Sequence, residues 1–177
     1  MIIVTGADNS GKTTLVKHLV KEFTISQLPS YKPLPPVDYI DWFRWVRDTL
    51  QRTDDKVDKQ LVADRFYIDE FVYGPVMRGE VGVYSHKKQA LDTLVNDARP
   101  LIILCHTDIK TIEKTYKERP QYPTLEQIVE IQQKFLKVLQ SYPFNNCPVH
   151  IWDYTKDKTK IHVDKAVENY LKARWHE

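Results

Sequence analysis

The chain has 177 residues, a length that fits one domain built around one hydrophobic core. Its 42% apolar and 28% charged residues are ordinary for a globular protein, and a net charge of +2 does not by itself indicate a nucleic-acid partner. No apolar run approaches the ~20 residues of a membrane-spanning helix, which argues against a membrane protein. The two cysteines show no disulfide or metal-site spacing, and Met1-Ile-Ile-Val leads into a strand without a signal peptide, so a cytoplasmic protein is expected.

Apolar runs alternate with helical patterns from the first residue onward. Residues 1–5 predict a buried strand that ends at Gly6, and apolar residues at helical spacing predict a helix over residues 12–22. Four prolines within residues 29–36 predict an irregular surface loop. Residues 38–52 then have the apolar periodicity of an amphipathic helix.

The same alternation continues to the end of the chain. Strands are predicted over 60–63, 101–105 and 149–152, and helices over 67–77, 86–98, 108–118, 124–141 and 161–175. The Gly74-Pro75 pair is a candidate interruption of the first of these helices. Short apolar strands between helices predict a three-layer α/β/α fold with a mostly parallel, five-stranded sheet. In such sheets ligands bind at the carboxyl ends of the strands.

The first predicted strand leads into a phosphate-binding motif. Residues 6–14, Gly-Ala-Asp-Asn-Ser-Gly-Lys-Thr-Thr, match G-x-x-x-x-G-K-[ST] at every defined position, between a predicted strand and a predicted helix. Lys12 is expected to reach the β- and γ-phosphates, and the Thr13 hydroxyl is expected to ligate Mg²⁺. The predicted nucleotide-binding residues are Gly6, Asn9, Ser10, Gly11, Lys12, Thr13 and Thr14. The motif predicts a single P-loop NTPase domain over residues 1–177, with ATP (or dATP) and Mg²⁺ as its ligands; a glycine turn before a capped helix is the alternative.

Charged residues mark two further positions near this loop. Asp64 and Arg65 follow the strand at 60–63, where the carboxylate could hold Mg²⁺ and the guanidinium could bind a phosphate. A surface ion pair is the alternative, but the neighbouring P-loop favours a functional role. Asp8 lies inside the phosphate-binding loop, where a carboxylate costs electrostatic energy unless it points away from the phosphates. Asp8 is therefore predicted to face a second ligand, with a solvated turn residue as the alternative.

These residues resemble those of the thymidylate kinase family and, more widely, of the deoxynucleoside kinase superfamily. The P-loop has the Gly-x-Asp-x-x-Gly-Lys-Thr-Thr form typical of thymidylate kinases. The stretch Asp64-Arg65-Phe66, with Tyr73 eight residues after Arg65, is similar to the family's Asp-Arg-aromatic motif and downstream tyrosine. The resemblance implies transfer of the γ-phosphate of ATP to a deoxynucleoside 5′-monophosphate, and it implies a homodimer.

The resemblance also implies roles for individual residues. Asp8 would bind the 3′-hydroxyl of the acceptor, Arg65 would bind its 5′-phosphate, and Tyr73 would pack on its base or sugar. Asp64 would lie near Mg²⁺. Lys32, beside Pro33, lies where the family has a basic, proline-containing acceptor loop.

The sequence departs from the family pattern in the predicted base pocket. Asp69 and Gly74 replace the serine and the glutamine that the family often has, so the resemblance does not imply specificity for thymine. Glu70 lies near the place where cytidine- and adenosine-type deoxynucleoside kinases have a base-reading carboxylate, which accepts from an amino group but not from thymine O4. The alternative is that Asp69 and Glu70 are two solvated acids on a helix. Arg78 is predicted as a further phosphate ligand.

Basic residues after the strand at 101–105 predict a lid over residues 108–123. They are Lys110, Lys114, Lys117 and Arg119, and two prolines follow them. Phosphoryl transfer needs positive charge around the migrating group, so Lys12, Arg65, Lys114 and Arg119 are the predicted catalytic residues. No residue stands out as an obligatory general base, and a run of solvated lysines is the alternative to a lid.

Three functions compete on these features. The first is a kinase of a deoxynucleoside monophosphate, and the second is a kinase of a free deoxynucleoside or of a modified base or end in DNA. A nucleic-acid partner is not favoured, because no basic stripe with interleaved aromatic residues is present. The third is a nucleotide-binding regulatory protein without transfer chemistry, which would need a γ-phosphate sensor loop that the sequence does not display.

Overall fold

The computed structural model describes residues 1–28, 60–79, 85–118 and 123–174, and these ranges contain five strands and six α-helices. The strands are β1 (Ile2–Gly6), β2 (Ser26–Gln27), β3 (Leu61–Asp64), β4 (Leu101–Cys105) and β5 (Val149–Trp152). The helices are α1 (Lys12–Glu22), α2 (Ile68–Arg78), α3 (Ser85–Ala98), α4 (Ile109–Glu118), α5 (Leu125–Leu139) and α6 (Ile161–Arg174). None of these helices has the length and apolarity needed to cross a bilayer.

The five strands form one sheet in the order β2-β3-β1-β4-β5, and every pair is parallel. The central strand β1 pairs with β3, where Val4 lies opposite Asp64, and with β4, where Gly6 lies opposite Cys105. The chain passes from one side of β1 to the other between β3 and β4. A crevice forms at the carboxyl ends of strands around such a change of direction, so ligands bind there in sheets of this kind.

Helices cover both faces of the sheet, because alternate residues of each strand point to opposite faces. On one face, Ile2 and Val4 of β1 belong to a core that includes Leu15 of α1 and Val163 of α6. On the other face, Ile3 packs in a larger core that draws on α2, α3 and α5. The prediction of a three-layer α/β/α fold is confirmed, and the sheet is parallel throughout its described strands.

Most predicted elements agree with the structure to within two residues, and local chemistry explains their limits. Helix α5 begins after Thr124, whose side chain accepts from the Gln127 N–H while the Gln127 side chain accepts from the Thr124 N–H, a complete capping box. The expected interruption at Gly74-Pro75 does not occur, and α2 continues through Pro75 to Arg78. Because Gly74 has no Cβ, the usual clash between a proline ring and the preceding residue is reduced.

Two predictions differ from the described structure or fall outside it. Strand β2 at Ser26–Gln27 was not expected, since both residues are polar and exposed and the strand has only two residues. It is held by pairing with β3 and not by burial. The loop predicted over 29–36 and the helix predicted over 38–52 lie outside the described residues.

Candidate active site

The P-loop backbone follows the course that its glycines permit. At the end of β1, Gly6 has a φ of 142°, and a Cβ at this position would lie 2.3 Å from the carbonyl oxygen of Cys105. Gly11 has a φ of 87° and is the N-cap residue of α1, while Asn9 between them has a φ of 62°. The turn from β1 into α1 therefore needs glycine at position 6, where any side chain would collide with β4.

Lys12 is a buried cation held against this loop. Its Nζ donates to the carbonyl oxygens of Gly6, at 2.8 Å, and Ala7, at 2.5 Å, and the residue is only 6% exposed. Burial lowers the pKa of Lys12 below its ordinary value, and the nearby charge of Arg65 lowers this pKa further. Two partly desolvated cations thus share one site, and an anionic ligand at that site would stabilise both.

The other predicted nucleotide-binding side chains divide into supporting and accessible groups. Ser10 is buried, and its Oγ donates to the carbonyl oxygen of Ala7 at 2.7 Å, which braces the loop from within. Thr13 and Thr14 are exposed in the first turn of α1. The Nδ2 atom of Asn9 is buried without a hydrogen-bond partner among the described atoms. Because Thr13 and Thr14 are exposed, their hydroxyl groups are accessible at the positive end of α1, where phosphate groups bind favourably.

Arg65 links the end of β3 to the P-loop. Its backbone has a φ of 71°, a strained value for a residue with a side chain, and its N–H donates to the carbonyl oxygen of Val4 at 2.9 Å. Its guanidinium Nη2 donates to Oδ1 of Asp8 at 2.5 Å, and its Cζ lies 4.8 Å from the ring centre of Tyr73. The side chains of Arg65 and Asp8 remain 24% and 20% exposed, so a ligand can reach this pair.

Tyr73 completes the group around Asp8. Its hydroxyl donates to Asp8 Oδ2 at 3.1 Å and lies 3.4 Å from the carbonyl oxygen of Gly6. Burial raises the pKa of Tyr73 well above its ordinary value, so the hydroxyl keeps its proton and remains a donor. The ring packs edge-on against Phe135 of α5, with the ring centres 6.2 Å apart. The structure therefore brings together Asp8, Arg65 and Tyr73, three residues that the sequence placed in one acceptor site.

Asp69 and Glu70 are both buried, at 2% and 1% exposure, so the alternative of two solvated acids is wrong. The Oδ2 atom of Asp69 accepts from the backbone N–H of Phe66 at 2.9 Å. Burial raises the pKa of Asp69 to about 6, against the opposing charges of Arg65 and Lys12. Glu70 forms an ion pair with Arg78, which reaches back along α2 toward the start of the helix.

The predicted metal ligands have the oxygen chemistry that Mg²⁺ prefers. Asp64 ends β3 and lies near enough to Cys105 that its charge contributes to raising the pKa of that thiol, although burial is the larger cause. Thr13 offers an exposed hydroxyl at the start of α1. In the described ranges, no group of three or more His, Cys, Asp or Glu side chains forms a metal cage. A sparse oxygen set fits Mg²⁺, which keeps much of its coordination for water and substrate phosphates.

The predicted lid is described only in part. Lys110, Lys114 and Lys117 are exposed on α4, where Ile112 is buried against the core. None of the contacts found among the described residues joins these lysines to Lys12 or Arg65. Arg119 and the acceptor-loop residue Lys32 lie outside the described residues.

Two aromatic residues, Trp152 and Tyr154, lie beside the P-loop, and the sequence did not single out Trp152. A Cβ at Gly11 would lie 3.2 Å from the Trp152 ring and 3.3 Å from the Tyr154 ring, so both rings flank the start of α1. The Asp153 carboxylate fixes the intervening turn by accepting from the N–H and hydroxyl of Thr155, at 2.9 and 2.6 Å. Trp152 could have been found from its position at the carboxyl end of β5, because the carboxyl ends of all strands in a parallel sheet lie at the same edge as the P-loop.

No known family model and no curated protein matches this sequence, but solved structures do match. The YorR protein from Bacillus subtilis, in complex with phosphorylated GDP, has a TM-score of 0.76 and 17% identity over 99% of this chain and 98% of that chain. Deoxyadenosine kinase from M. mycoides with bound dATP has a TM-score of 0.58 and 14% identity over 95% and 98% of the two chains. The same kinase with dCMP and a flexible dCDP bound has a TM-score of 0.57 and 16% identity over 96% and 98%. The chain therefore has the fold of the P-loop nucleotide kinases.

Proposed function

We propose that this protein is a kinase that transfers the γ-phosphoryl group of ATP or dATP to a deoxynucleoside 5′-monophosphate. The observation that carries the proposal is a pair of neighbouring cations, the buried Lys12 of the P-loop and the partly exposed Arg65 at the end of β3. One cation in this position suits a bound triphosphate. Two cations at the ends of different strands suit two substrates that both carry phosphate, with Lys12 beside the donor and Arg65 beside the acceptor.

The donor would bind along the P-loop. Backbone N–H groups between Gly6 and Thr14 and the N-terminus of α1 would receive its phosphates, and Lys12 would leave the Gly6 and Ala7 carbonyls for the β- and γ-phosphates. Thr13 and Asp64 would hold Mg²⁺, which neutralises charge that develops on the phosphates during transfer. The rings of Trp152 and Tyr154 lie beside Gly11 at the start of α1, a position that suits the base of the donor nucleotide.

The acceptor would bind between α2 and the P-loop. Asp8 would accept from its 3′-hydroxyl, and Arg65 would bind its 5′-phosphate, with Tyr73 beside the sugar or base. Glu70 is 1% exposed in this structure, so it would accept from an amino group on the base after the acceptor opens access to its carboxylate, which Arg78 would hold in place. This arrangement favours cytosine or adenine over thymine, because thymine has no amino group for a carboxylate to receive.

The transfer would depend on positioning and positive charge, and not on a strong general base. The transition state of phosphoryl transfer carries its charge on the phosphoryl oxygens, so cations that are fixed before the reaction lower its energy. Lys114 of α4 and Arg119 beyond it would supply further charge when the lid segment covers the phosphates. Closure would also exclude water and prevent hydrolysis of ATP.

A kinase of a free deoxynucleoside is a second candidate, and one observation favours it. Arg65 is already paired with Asp8, and Asp69 lies nearby, so its charge is balanced without an acceptor phosphate. A neutral acceptor would leave that balance unchanged, and two of the similar structures are of a deoxyadenosine kinase. The test must therefore compare nucleosides with their monophosphates.

A coupled assay of ADP release with Mg-ATP tests the proposal against nucleosides, their 5′-monophosphates and an oligonucleotide. Turnover that depends on a deoxynucleoside monophosphate, and that is lost in Lys12→Ala and Arg65→Ala, would support it. Turnover with nucleosides alone would transfer the assignment to the second candidate. Tight binding of ATP without acceptor-dependent turnover would refute both, in favour of a regulatory protein.

A further inference from the structure

The inference concerns how Arg65 is kept in place. Arg65 lies in the left-handed backbone region, with a φ of 71°, which is a strained conformation for a residue with a side chain. Such a conformation persists only where neighbouring contacts impose it. The next backbone N–H, that of Phe66, donates to Asp69 Oδ2 at 2.9 Å, so Asp69 holds the turn directly after Arg65.

Asp69 also acts on the charge of Arg65. Electrostatic interactions with Tyr73, Asp69 and Asp8 offset the desolvation of Arg65 and raise its pKa. Asp8 makes its contact from the P-loop, where both side chains are partly exposed, whereas Asp69 is 2% exposed. Arg65 thus has one carboxylate partner that a ligand can reach and one that lies within the protein.

The remaining surroundings of Asp69 argue against direct contact with a substrate. Its Oδ1 atom is buried without a hydrogen-bond partner among the described residues, and the Thr5 hydroxyl is close enough to lower the pKa of Asp69. Thr5 itself is fully buried on β1. A carboxylate that accepts from the Phe66 N–H and is close to Thr5 of β1 lies against the sheet, and it would repel an acceptor phosphate if it were turned toward the site.

We propose that Asp69 is a positioning residue that fixes Arg65 for capture of the acceptor's phosphate and makes no contact with the acceptor itself. The proposal rests on the proposed function for the identity of the ligand. It gives Asp69 a role different from the base-pocket role that the family resemblance implies. A serine at this position could accept a hydrogen bond from the Phe66 N–H, but it would carry no charge. The carboxylate of Asp69 keeps that hydrogen bond and also attracts the Arg65 guanidinium.

Three substitutions separate the two contributions. Asp69→Ala removes both the Phe66 hydrogen bond and the charge, whereas Asp69→Ser and Asp69→Asn remove only the charge. Asp157→Ala is the matched control, because Asp157 is also buried and also accepts from a backbone N–H through Oδ2, that of Val163 at 3.3 Å. Its Oδ1 atom also has no partner within the described part of the chain. Asp157 lies before α6, on the opposite face of the sheet from Asp69.

The first readout does not depend on activity. The ¹⁵N NMR signal of the Arg65 Nε–H group, assigned with Arg65→Lys, reports whether the guanidinium is ordered. We expect the signal to move to the position of mobile arginines in Asp69→Ala, to be partly restored in Asp69→Ser and Asp69→Asn, and to remain unchanged in Asp157→Ala. An unchanged Arg65 signal in Asp69→Ala would overturn the proposal.

The second readout is steady-state kinetics with the preferred deoxynucleoside monophosphate. We expect the acceptor KM of Asp69→Ala to rise about tenfold, the loss typical of a charge-assisted contact, while its ATP KM changes less than about twofold. Asp157→Ala should lower Tm without raising the acceptor KM. If Asp69→Ala raises both KM values no more than Asp157→Ala does, Asp69 is only structural. If the wild type shows no acceptor-dependent turnover, the proposed function fails, and the NMR comparison still decides the role of Asp69.

Discussion

The charge of Arg65 adds to burial in lowering the pKa of Lys12, although the two residues come from different strand ends of the sheet. The order β3-β1-β4 places the P-loop and the Asp64-Arg65 turn side by side, since β1 pairs with β3 through Val4 and Asp64. The electrostatic repulsion between the two cations costs folding energy, and Asp8 and Asp69 reduce that cost. A site arranged in this way is suited to binding negative charge.

Replacing Lys12 tests the donor half of the site. We expect Lys12→Met to lower kcat about 10²–10³-fold, because a fixed charge near the transferring phosphate is lost. The protein should not lose stability, because the substitution removes a desolvated cation from a buried position. Lys17→Met is the control, since Lys17 lies on the same helix and is exposed. Equal kcat values for Lys12→Met and Lys17→Met would contradict the role of Lys12.

Replacing Gly6 tests the close approach of β1 and β4. Gly6→Ala should cost more than about 3 kcal/mol in the free energy of unfolding, since its Cβ would lie 2.3 Å from the Cys105 carbonyl oxygen. Gly79→Ala is the control: Gly79 also has a positive φ, of 77°, but a Cβ there meets no atom of the described residues within 4 Å. It should cost only about 1 kcal/mol. Urea unfolding of both variants measures the difference, and similar losses would show that the contact with β4 is unimportant.

The sheet and the P-loop could be predicted because their signals are local. The β1 pattern, the motif at 6–14 and the apolar run at Leu101–Cys105 each identify one element within a few residues of its observed bounds. Strand β2 could not be predicted, because two exposed polar residues carry no burial pattern and their strand exists only through pairing with β3. Continuity of α2 through Pro75 depends on the absence of a side chain at Gly74, an effect that a proline rule alone does not include.

The sequence predicted which residues form the candidate site, but not the burial of Asp69 or its hydrogen bond with Phe66. The resemblance joined Asp8, Arg65 and Tyr73 in one acceptor site, and the structure places them within hydrogen-bond or ring contact. Burial of Asp69 could not be inferred, since acidic residues near the start of a helix are usually solvated there. Its contact with Phe66 depends on the left-handed turn at Arg65, which no residue type at that position signals.

Glu70 offers a test of acceptor selectivity. Replacing Glu70 with Gln keeps the side-chain size and adds an amide donor. A carbonyl group on the base can accept from this amide, whereas it could not bond to the carboxylate. We expect Glu70→Gln to shift the ratio of kcat/KM values for dTMP over dCMP upward by about tenfold, a change that one hydrogen bond can produce. Steady-state kinetics with the four deoxynucleoside monophosphates measures the ratio.

The Glu70 experiment needs a control for the ion pair with Arg78, because its loss alone could disturb α2. Arg78→Gln removes the same pair and leaves the carboxylate in place. If Glu70 reads the base, Arg78→Gln should weaken binding of all four acceptors without reversing their order. A ratio that changes equally in Glu70→Gln and Arg78→Gln would instead assign the effect to the ion pair.

Asp69 predicts a pH dependence of stability. Its pKa in the folded protein is raised to about 6, mainly by burial and against the charges of Arg65 and Lys12, the hydrogen bond from the Phe66 N–H and the nearby Thr5 hydroxyl. In the unfolded chain an Asp has a pKa of about 3.9. The folded state therefore binds the proton more tightly, and the ionisation of Asp69 reduces stability as the pH rises from about 4 to about 6.

Asp69→Asn removes this ionisation and keeps an acceptor for the Phe66 N–H. Its free energy of unfolding relative to wild type should therefore increase between pH 4 and pH 7, by on the order of 2–3 kcal/mol, and then stay constant. Urea unfolding across this range measures the difference. Thr5→Val should move the wild-type transition to higher pH, because the Thr5 hydroxyl lowers the pKa of Asp69, and it should have no such effect in the Asp69→Asn background. A stability difference between Asp69→Asn and wild type that is the same at every pH would show that the Asp69 carboxylate ionises equally well in the folded and unfolded protein.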